Sequence, residues 1–147
     1  MSKKLTNDWF KEQRACVEGY EWVLKRNYDD GVRTIKELIK IDKLDWANWT
    51  IARALNRKDK IRYSVYAAEQ VLEIFENKYP DDKRPREAIE AAKMVLKNDT
   101  VENRSAAYAA YAAYAAANAA DAAADAADAV MKKKILLYGI KLMGDQK

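Results

Sequence analysis

The sequence contains no histidine, one cysteine, four glycines and two prolines among its 147 residues. Histidine is the commonest general base and metal ligand near neutral pH, so its absence removes every Ser-His and Cys-His catalytic arrangement. A single cysteine, Cys16, excludes an intrachain disulfide and suits a reducing compartment. Because Cys16 lies among Val17, Tyr20 and Val23, we expect it to be buried.

Several motifs that carry chemistry are also missing from the sequence. It has no glycine-rich phosphate loop, paired-cysteine zinc site or calcium-binding loop, so we predict no enzyme, no cofactor and no metal site. No long apolar stretch follows Met1, which predicts that there is no signal peptide and favours a cytoplasmic location. The chain lacks a linker rich in proline or glycine. We therefore expect one domain, residues 1–147, with helical segments 1–57, 58–98 and 99–147.

What the chain does contain is a run of alanine, which fills seventeen of the 24 positions from 106 to 129. Alanine is the best helix former, so the run predicts a helix. The remaining seven residues recur every three or four positions and therefore share one helix face. They are Tyr108, Tyr111, Tyr114, Asn118, Asp121, Asp125 and Asp128. The aspartates make a membrane span too costly, and the run predicts the central helix of an all-α fold with no membrane contact.

Apolar residues at helical spacing predict five further helices, and no strand-like alternation is present. The predicted helices span residues 7–27, 32–41, 43–55, 58–79 and 84–97. Asp99 and Glu102 predict a capping box for a sixth helix, residues 99–143, which is too long for a compact domain and should break near 132–134. The apolar residues of 135–143 then pack in the same bundle or on a second copy, which leaves a homodimer or higher oligomer open.

Two sets of aromatic residues are candidates for packing or binding. Tyr108, Tyr111 and Tyr114 form a stripe that predicts either a helix–helix seam or a surface for a protein partner, since tyrosine is enriched at interface hot spots. The four tryptophans are expected in the core, with two of them, three residues apart, facing the same way. The tryptophans are Trp9, Trp22, Trp46 and Trp49.

The formal net charge is +4, and the whole excess lies in residues 1–98, because six acids balance six bases from Asp99 onward. Arg57, Lys58 and Arg62 belong to the densest basic stretch. That stretch is either a binding patch for nucleic acid or an acidic protein, or a solvated connector. The three aspartates of the alanine run are likewise either a cation site or a solvated helix face.

The segment Arg84-Pro85-Arg86 opens a predicted helix and offers two guanidinium groups, which match phosphate geometry. Arg86 and Glu90 lie four residues apart, a spacing that allows them to pair. We expect at least one of the two arginines to form a charge-assisted bond outside its own helix.

The segment 62–93 resembles an immunity-protein family that is associated with polymorphic toxin systems. The resemblance rests on the Arg-Pro-Arg-x-Ala-Ile-Glu-Ala motif at 84–91 and on the alanine-rich helix that follows, and it covers roughly residues 60–130. The Asp-Trp-Ala-Asn-Trp element at 45–49 is also similar to small proteins carried by temperate phages. The resemblance implies a helical protein that binds and neutralises a partner.

Three classes of function remain. The first is a non-catalytic interaction protein of the immunity or phage anti-defence type, whose partner is a toxin or defence effector. The second is a sequestering protein for an anionic small molecule such as a signalling nucleotide, which would use Arg84 and Arg86. The third is a regulator associated with nucleic acid, whose binding would weaken steeply with salt.

Overall fold

The computed structural model describes residues 4–105 and 129–145, and every regular element in these ranges is a helix. The all-α prediction is therefore confirmed. The helices with described ends are α1 (Asn7–Glu12), α2 (Val17–Arg26), α3 (Gly31–Lys40), α4 (Leu44–Ala54), α5 (Arg57–Lys78), α6 (Arg84–Lys97) and α7 (Ala129–Asp145). Residues 101–105 are also helical, and Lys4 and Asp30 form an isolated antiparallel bridge. No helix in these ranges is long and apolar enough to cross a membrane.

The chain divides into two compact units. Unit 1 comprises Met1–Asn56 and Lys132–Lys147, and unit 2 comprises Arg57–Met131. The single domain expected from the sequence stays a prediction.

Unit 1 buries apolar side chains from α1 to α4 and from α7. Helix α1 packs on α2, and α3 packs on α4. The C-terminal apolar segment supplies Leu136, Leu142 and Met143, which are at most 7% exposed within the single chain. The other buried apolar residues of this unit are Leu5, Phe10, Val23, Ile35, Leu38, Ala47, Ile51, Ala54 and Leu55.

Unit 2 is built on the pair α5 and α6, which pack together along their lengths. Phe75 of α5 and Ile89 of α6 are buried, as are Tyr63, Val65 and Val95. Pro85 lies in the first turn of α6, as predicted, because a proline there has no needed amide hydrogen to lose. The ends of α3, α4, α5 and α6 agree with the sequence prediction within two residues.

The predicted first helix, residues 7–27, is wrong, because the structure divides it into α1 and α2. Arg14 adopts the left-handed conformation, with φ of 57°. Its backbone N–H donates to the carbonyl of Lys11 and that of Ala15 donates to the carbonyl of Phe10. These two hydrogen bonds form a Schellman motif, which ends a helix. The position that Arg14 occupies in this motif is usually glycine.

Cys16 is exposed, which contradicts the prediction that it is buried. It occupies the N-cap of α2, where its Sγ accepts a hydrogen bond of 3.4 Å from the backbone N–H of Gly19. The residue therefore caps a helix, a task that serine or aspartate more often performs.

Two predictions for the sixth helix are also wrong. Thr100, and not Asp99, caps the helix that begins at Val101, because its Oγ1 accepts from the backbone N–H of Asn103 at 3.1 Å. The predicted break near 132–134 is absent, because α7 continues through these residues. The remainder of the alanine run, residues 106–128, lies outside the described residues.

Candidate functional site

The arginines that the sequence singled out lie in unit 2, where carboxylates hold them. Arg86 of α6 donates through Nε and one terminal nitrogen to the two oxygens of Glu76 on α5, at 2.8 and 2.9 Å. Two helical turns away, the Nζ of Lys93 lies 2.7 Å from Glu69. These two pairs connect antiparallel helices. The expectation of a charge-assisted bond outside the arginine's own helix is confirmed.

Glu90 and Arg86 do not form the expected pair. Arg86 turns towards α5 instead, and Glu90 lies 3.7 Å from the Nζ of Lys93. The hydrogen bond from Arg86 lowers the pKa of the Glu76 carboxyl below its usual range, because it stabilises the charged form. The geometry joins two helices and satisfies the guanidinium group.

Arg84 lies at the turn between α5 and α6. Its side chain donates to both oxygens of Asp82, at 2.9 and 2.5 Å, and its backbone N–H donates to the same carboxylate at 3.1 Å. The hydrogen bond from the Arg84 side chain is the main reason that the pKa of Asp82 falls to about 2. A concavity of about 630 Å³ surrounds this turn. Its charged lining is balanced, with Lys78, Lys83 and Arg84 facing Asp81, Asp82 and Glu87.

The basic stretch at the start of α5 is also partly neutralised. Arg57 binds the carboxylate of Asp99, which accepts a second hydrogen bond from Nε of Arg104 at 2.6 Å. Both bonds lower the pKa of Asp99. Arg62 donates to the buried Asp59 at 2.8 Å, whereas Lys58 is exposed.

The structure therefore brings Arg84, Arg86 and Glu90 to one helix and Arg57, Lys58 and Arg62 to another. Tyr108, Tyr111 and Tyr114 lie outside the described residues, and so do the three aspartates of the alanine run. Among the residues that are described, no group of three histidine, cysteine, aspartate or glutamate side chains could hold a metal ion.

Unit 1 contains a cleft that is lined by none of the residues predicted to bind. It has a volume of about 350 Å³ and is mainly apolar. We call it the tryptophan cleft, because three tryptophans line it. Its lining comprises Phe10, Arg14, Ala15, Cys16, Gly19, Trp22, Val23, Leu38, Asp45, Trp46, Trp49 and Thr50.

The tryptophans of this cleft are half-buried, and Trp9 is half-buried too, so the prediction that all four lie in the core is wrong. The prediction that Trp46 and Trp49 face the same way is confirmed, since both line the cleft. Trp9 packs edge to face against two residues of the lining: its ring centroid lies 4.9 Å from that of Phe10 and 6.4 Å from that of Trp49.

Each of the three lining tryptophans carries a cation on its ring. The guanidinium carbon of Arg26 lies 4.4 Å from the ring centroid of Trp22, and that of Arg53 lies 4.2 Å from Trp49. The Nζ of Lys43 lies 4.7 Å from the ring centroid of Trp46. Attraction between a cation and an aromatic face holds each of these side chains on a tryptophan that lines the cleft.

A sequence signal for these stacked cations does exist. Arg26 and Arg53 each follow their tryptophan by four residues, and Lys43 precedes Trp46 by three, so each pair shares a helix face or its entry. The cleft itself depends on the left-handed turn at Arg14, and no glycine or proline marks that turn.

Residues 51–133 match the family model described as Imm-5 like putative immunity protein. No curated protein and no solved structure matches the chain. The matched segment contains all of unit 2 and the last turn of α4. Because it spans more than half of the 147 residues, the chain belongs to this immunity protein family.

Proposed function

We propose that this protein is a non-catalytic binding protein that neutralises a protein partner, either a toxin or a defence effector met by a phage. The observation that carries the proposal is the family match over residues 51–133. A cytoplasmic place of action and an association with phages are part of the same proposal.

The ion pairs of unit 2 favour this function over sequestration of a small anion. A phosphate site needs guanidinium groups whose donors face the ligand. Here Asp82 occupies the fork of Arg84 and Glu76 occupies that of Arg86. A phosphate would have to displace a carboxylate at each arginine, so these residues are better suited to holding α5 and α6 together.

The same pairing weakens the case for nucleic-acid binding by the basic stretch. Arg57 and Arg62 bind Asp99 and Asp59, which reduces the positive potential offered to a phosphate backbone. A protein surface places fewer demands on free cations, because apolar anchors carry much of the affinity of such interfaces.

The test begins with the full chain as an affinity bait in lysate of the native host. The captured partner is then co-expressed with the chain, and the growth of the cells is measured. We expect the chain to restore growth and to form a stoichiometric complex with the purified partner. A partner that binds yet stays fully active when saturated would contradict neutralisation.

Two control measurements address the alternatives. A rise in melting temperature with ATP or a cyclic dinucleotide, lost in Arg84→Gln and Arg86→Gln but kept in Lys97→Gln, would instead favour the sequestering function. Binding to duplex DNA or RNA whose affinity falls steeply with salt would favour the regulator.

A further inference from the structure

The tryptophan cleft lies outside the segment that matches the family model, because every residue of its lining precedes residue 51. We propose that it receives one bulky apolar side chain, flanked by carboxylates, from the protein partner. This proposal rests on the proposed function, since it supplies a contact for the same partner.

The size and lining of the cleft point to a single anchor residue. A volume of about 350 Å³ lies near the lower end of the roughly 300–1,000 Å³ typical of ligand pockets. Such a space has room for one aromatic or branched side chain together with atoms of its neighbouring residues. Tryptophan and arginine dominate the hot spots of protein interfaces, where a buried anchor fills an apolar pocket of the other protein.

The charges beside the cleft specify the neighbours of that anchor. A guanidinium group has five N–H donors, and one that lies over an aromatic ring still has donors that point away from the ring. Arg26 and Arg53 can therefore donate to a carboxylate while they remain on Trp22 and Trp49. Within the described part of the chain, neither arginine forms an ion pair, and the same holds for Lys43.

Cations outnumber carboxylates in unit 1. Among the described residues that line the cleft, Asp45 is the one carboxylate, and Arg14 adds a further cation. Unit 1 as a whole has 16 lysines and arginines against ten aspartates and glutamates, a net charge of +6. A partner segment with carboxylates around an apolar residue is complementary to this surface, whereas a basic segment would be repelled.

The backbone of Arg14 is consistent with a functional constraint on the cleft. A non-glycine residue with positive φ is strained, and such strain is concentrated at binding sites. Glycine at this turn would remove the strain but also the cation.

The experiment uses the full chain and three capped pentapeptides as probes. The first has phenylalanine between two pairs of glutamates, the second has alanine in its place, and the third has phenylalanine between two pairs of lysines. The readout is the alkylation rate of Cys16 by neutral iodoacetamide, because Cys16 is the sole cysteine and lines the cleft. Tryptophan emission gives a second readout at the same millimolar peptide concentrations.

We expect the acidic phenylalanine peptide alone to slow alkylation and shift the emission. Equal protection by the acidic alanine peptide would remove the anchor from the proposal, and equal protection by the lysine peptide would remove charge complementarity. Either result, or no protection by any peptide, overturns it.

Matched triple variants test the stacked cations. Arg26→Gln, Lys43→Gln and Arg53→Gln together should raise the Kd of the acidic phenylalanine peptide by about tenfold. The control triple Lys36→Gln, Lys40→Gln and Lys141→Gln removes the same charge from exposed positions outside the cleft and should leave the Kd nearly unchanged. If both triple variants raise the Kd equally, net charge alone explains the effect and the proposal is overturned. Melting temperatures of both triples check that each variant folds.

The captured partner separates the two proposals. If the partner is neutralised equally well by the chain and by the first triple variant, the cleft proposal fails and the proposed function stands. If no partner is neutralised, the proposed function fails, while the peptide measurements still decide whether the cleft binds acidic segments.

Discussion

In unit 1, four arginine and lysine side chains lie on aromatic rings, whereas in unit 2 most of the described arginine and lysine contacts are with carboxylates and Lys78 alone lies on a ring, that of Tyr79. Arg33 lies 4.1 Å from the ring centroid of Tyr28, just as the cations of the cleft lie on tryptophan. In unit 2, Arg86 and Lys93 instead reach across to glutamates of the neighbouring helix. The same residue types thus do different work in the two units.

The difference matters because a ring fixes a cation without neutralising it. Unit 2 has 11 lysines and arginines against 13 aspartates and glutamates, a net charge of −2, whereas unit 1 has a net charge of +6. Ion pairs in unit 2 satisfy the charges within the protein. The stacked cations of unit 1 are not neutralised in this way, and for this reason we place the proposed contact with a partner in the unit that contains the cleft.

The largest expected effect tests whether unit 2 depends on its apolar core more than on its ion pairs. Ile89 of α6 is 4% exposed, so Ile89→Ala leaves a cavity and should lower the free energy of unfolding by about 2–5 kcal/mol. Urea unfolding of the wild type and the variant measures this change in free energy.

The matched control for this variant is Ile74→Ala, because Ile74 of α5 is 52% exposed. We expect a change within about 0.5 kcal/mol for this surface substitution. If Arg86→Ala costs as much as Ile89→Ala, the ion pairs and not the core dominate unit 2, and the comparison between the units needs revision.

Much of the fold could be predicted because most helix boundaries have local causes. Pro80 follows the end of α5, and Asp30 precedes α3, where its carboxylate accepts from two backbone N–H groups. Helical spacing of apolar residues places Val32, Ile35, Leu38 and Ile39 on one face of α3, and Ile61, Val65, Ala68, Leu72 and Phe75 on one face of α5. The structure buries Ile35, Leu38, Val65 and Phe75 and leaves the other five half-buried.

The first helix was mispredicted because its turn carries no ordinary signal. Phe10, Val17, Tyr20 and Leu24 keep a helical spacing across the break, so periodicity alone cannot detect it. The ending at Arg14 depends on a left-handed residue that is not glycine, and Asp42 ends α3 with the same pattern of bonds. The cleft follows from that turn, so it was missed as well.

Pairing of the arginines could be predicted only in part. The sequence indicated that Arg84 or Arg86 would reach a group outside its helix, but the partner Glu76 is ten residues away on another helix. Choosing it over Glu90 requires the packing of α5 on α6, which is a tertiary contact. Local spacing favoured the wrong glutamate for that reason.

A helix cap gives the next largest effect and belongs to unit 1. Asp30 Oδ1 accepts from the backbone N–H groups of Val32 at 2.9 Å and Arg33 at 3.2 Å. Asp30→Ala removes both bonds and should lower the free energy of unfolding by about 0.5–2 kcal/mol. Thermal unfolding monitored by tryptophan emission is a suitable measurement, because all four tryptophans lie in unit 1. Asp29→Ala is the neighbouring control, and an equal loss there would assign the effect to charge and not to capping.

A smaller effect of opposite sign is expected at the strained turn beside the cleft. Glycine at position 14 removes the left-handed strain of about 1–2 kcal/mol and adds backbone entropy to the unfolded chain, so Arg14→Gly should stabilise by up to about 1 kcal/mol. Asn27→Gly should gain less, because asparagine tolerates the left-handed region. Urea unfolding compares the two variants. A clear destabilisation by Arg14→Gly would mean that the arginine side chain stabilises unit 1, and the argument from strain would no longer support the cleft.

The smallest effects concern the ion pairs of unit 2, and they depend on pH. Hydrogen bonds from arginines lower the pKa values of Glu76 and Asp99, and that of Asp82 falls to about 2. A carboxyl whose pKa is lower in the folded state contributes its stability fully above the unfolded pKa of about 4, and loses it as the pH falls through the folded pKa. The free energy of unfolding should therefore fall between about pH 4 and pH 2, and less steeply in a variant that combines Arg84→Gln and Arg86→Gln. High salt at pH 7 should shrink the difference between variant and wild type, since these pairs are exposed.

Arg33→Gln completes this comparison, because Arg33 lies on the ring of Tyr28 in unit 1. A cation held by a ring gives no carboxyl a lowered pKa, so this variant should keep the wild-type slope between pH 4 and pH 2. Urea unfolding across this pH range measures all three proteins. Parallel profiles for the wild type and the unit 2 variant would show that the arginine–carboxylate pairs do not separate the units energetically. A flattened profile for Arg33→Gln would show that unit 1 also uses its arginines as partners of carboxylates, and the contrast between ring-held and carboxylate-held cations would fail.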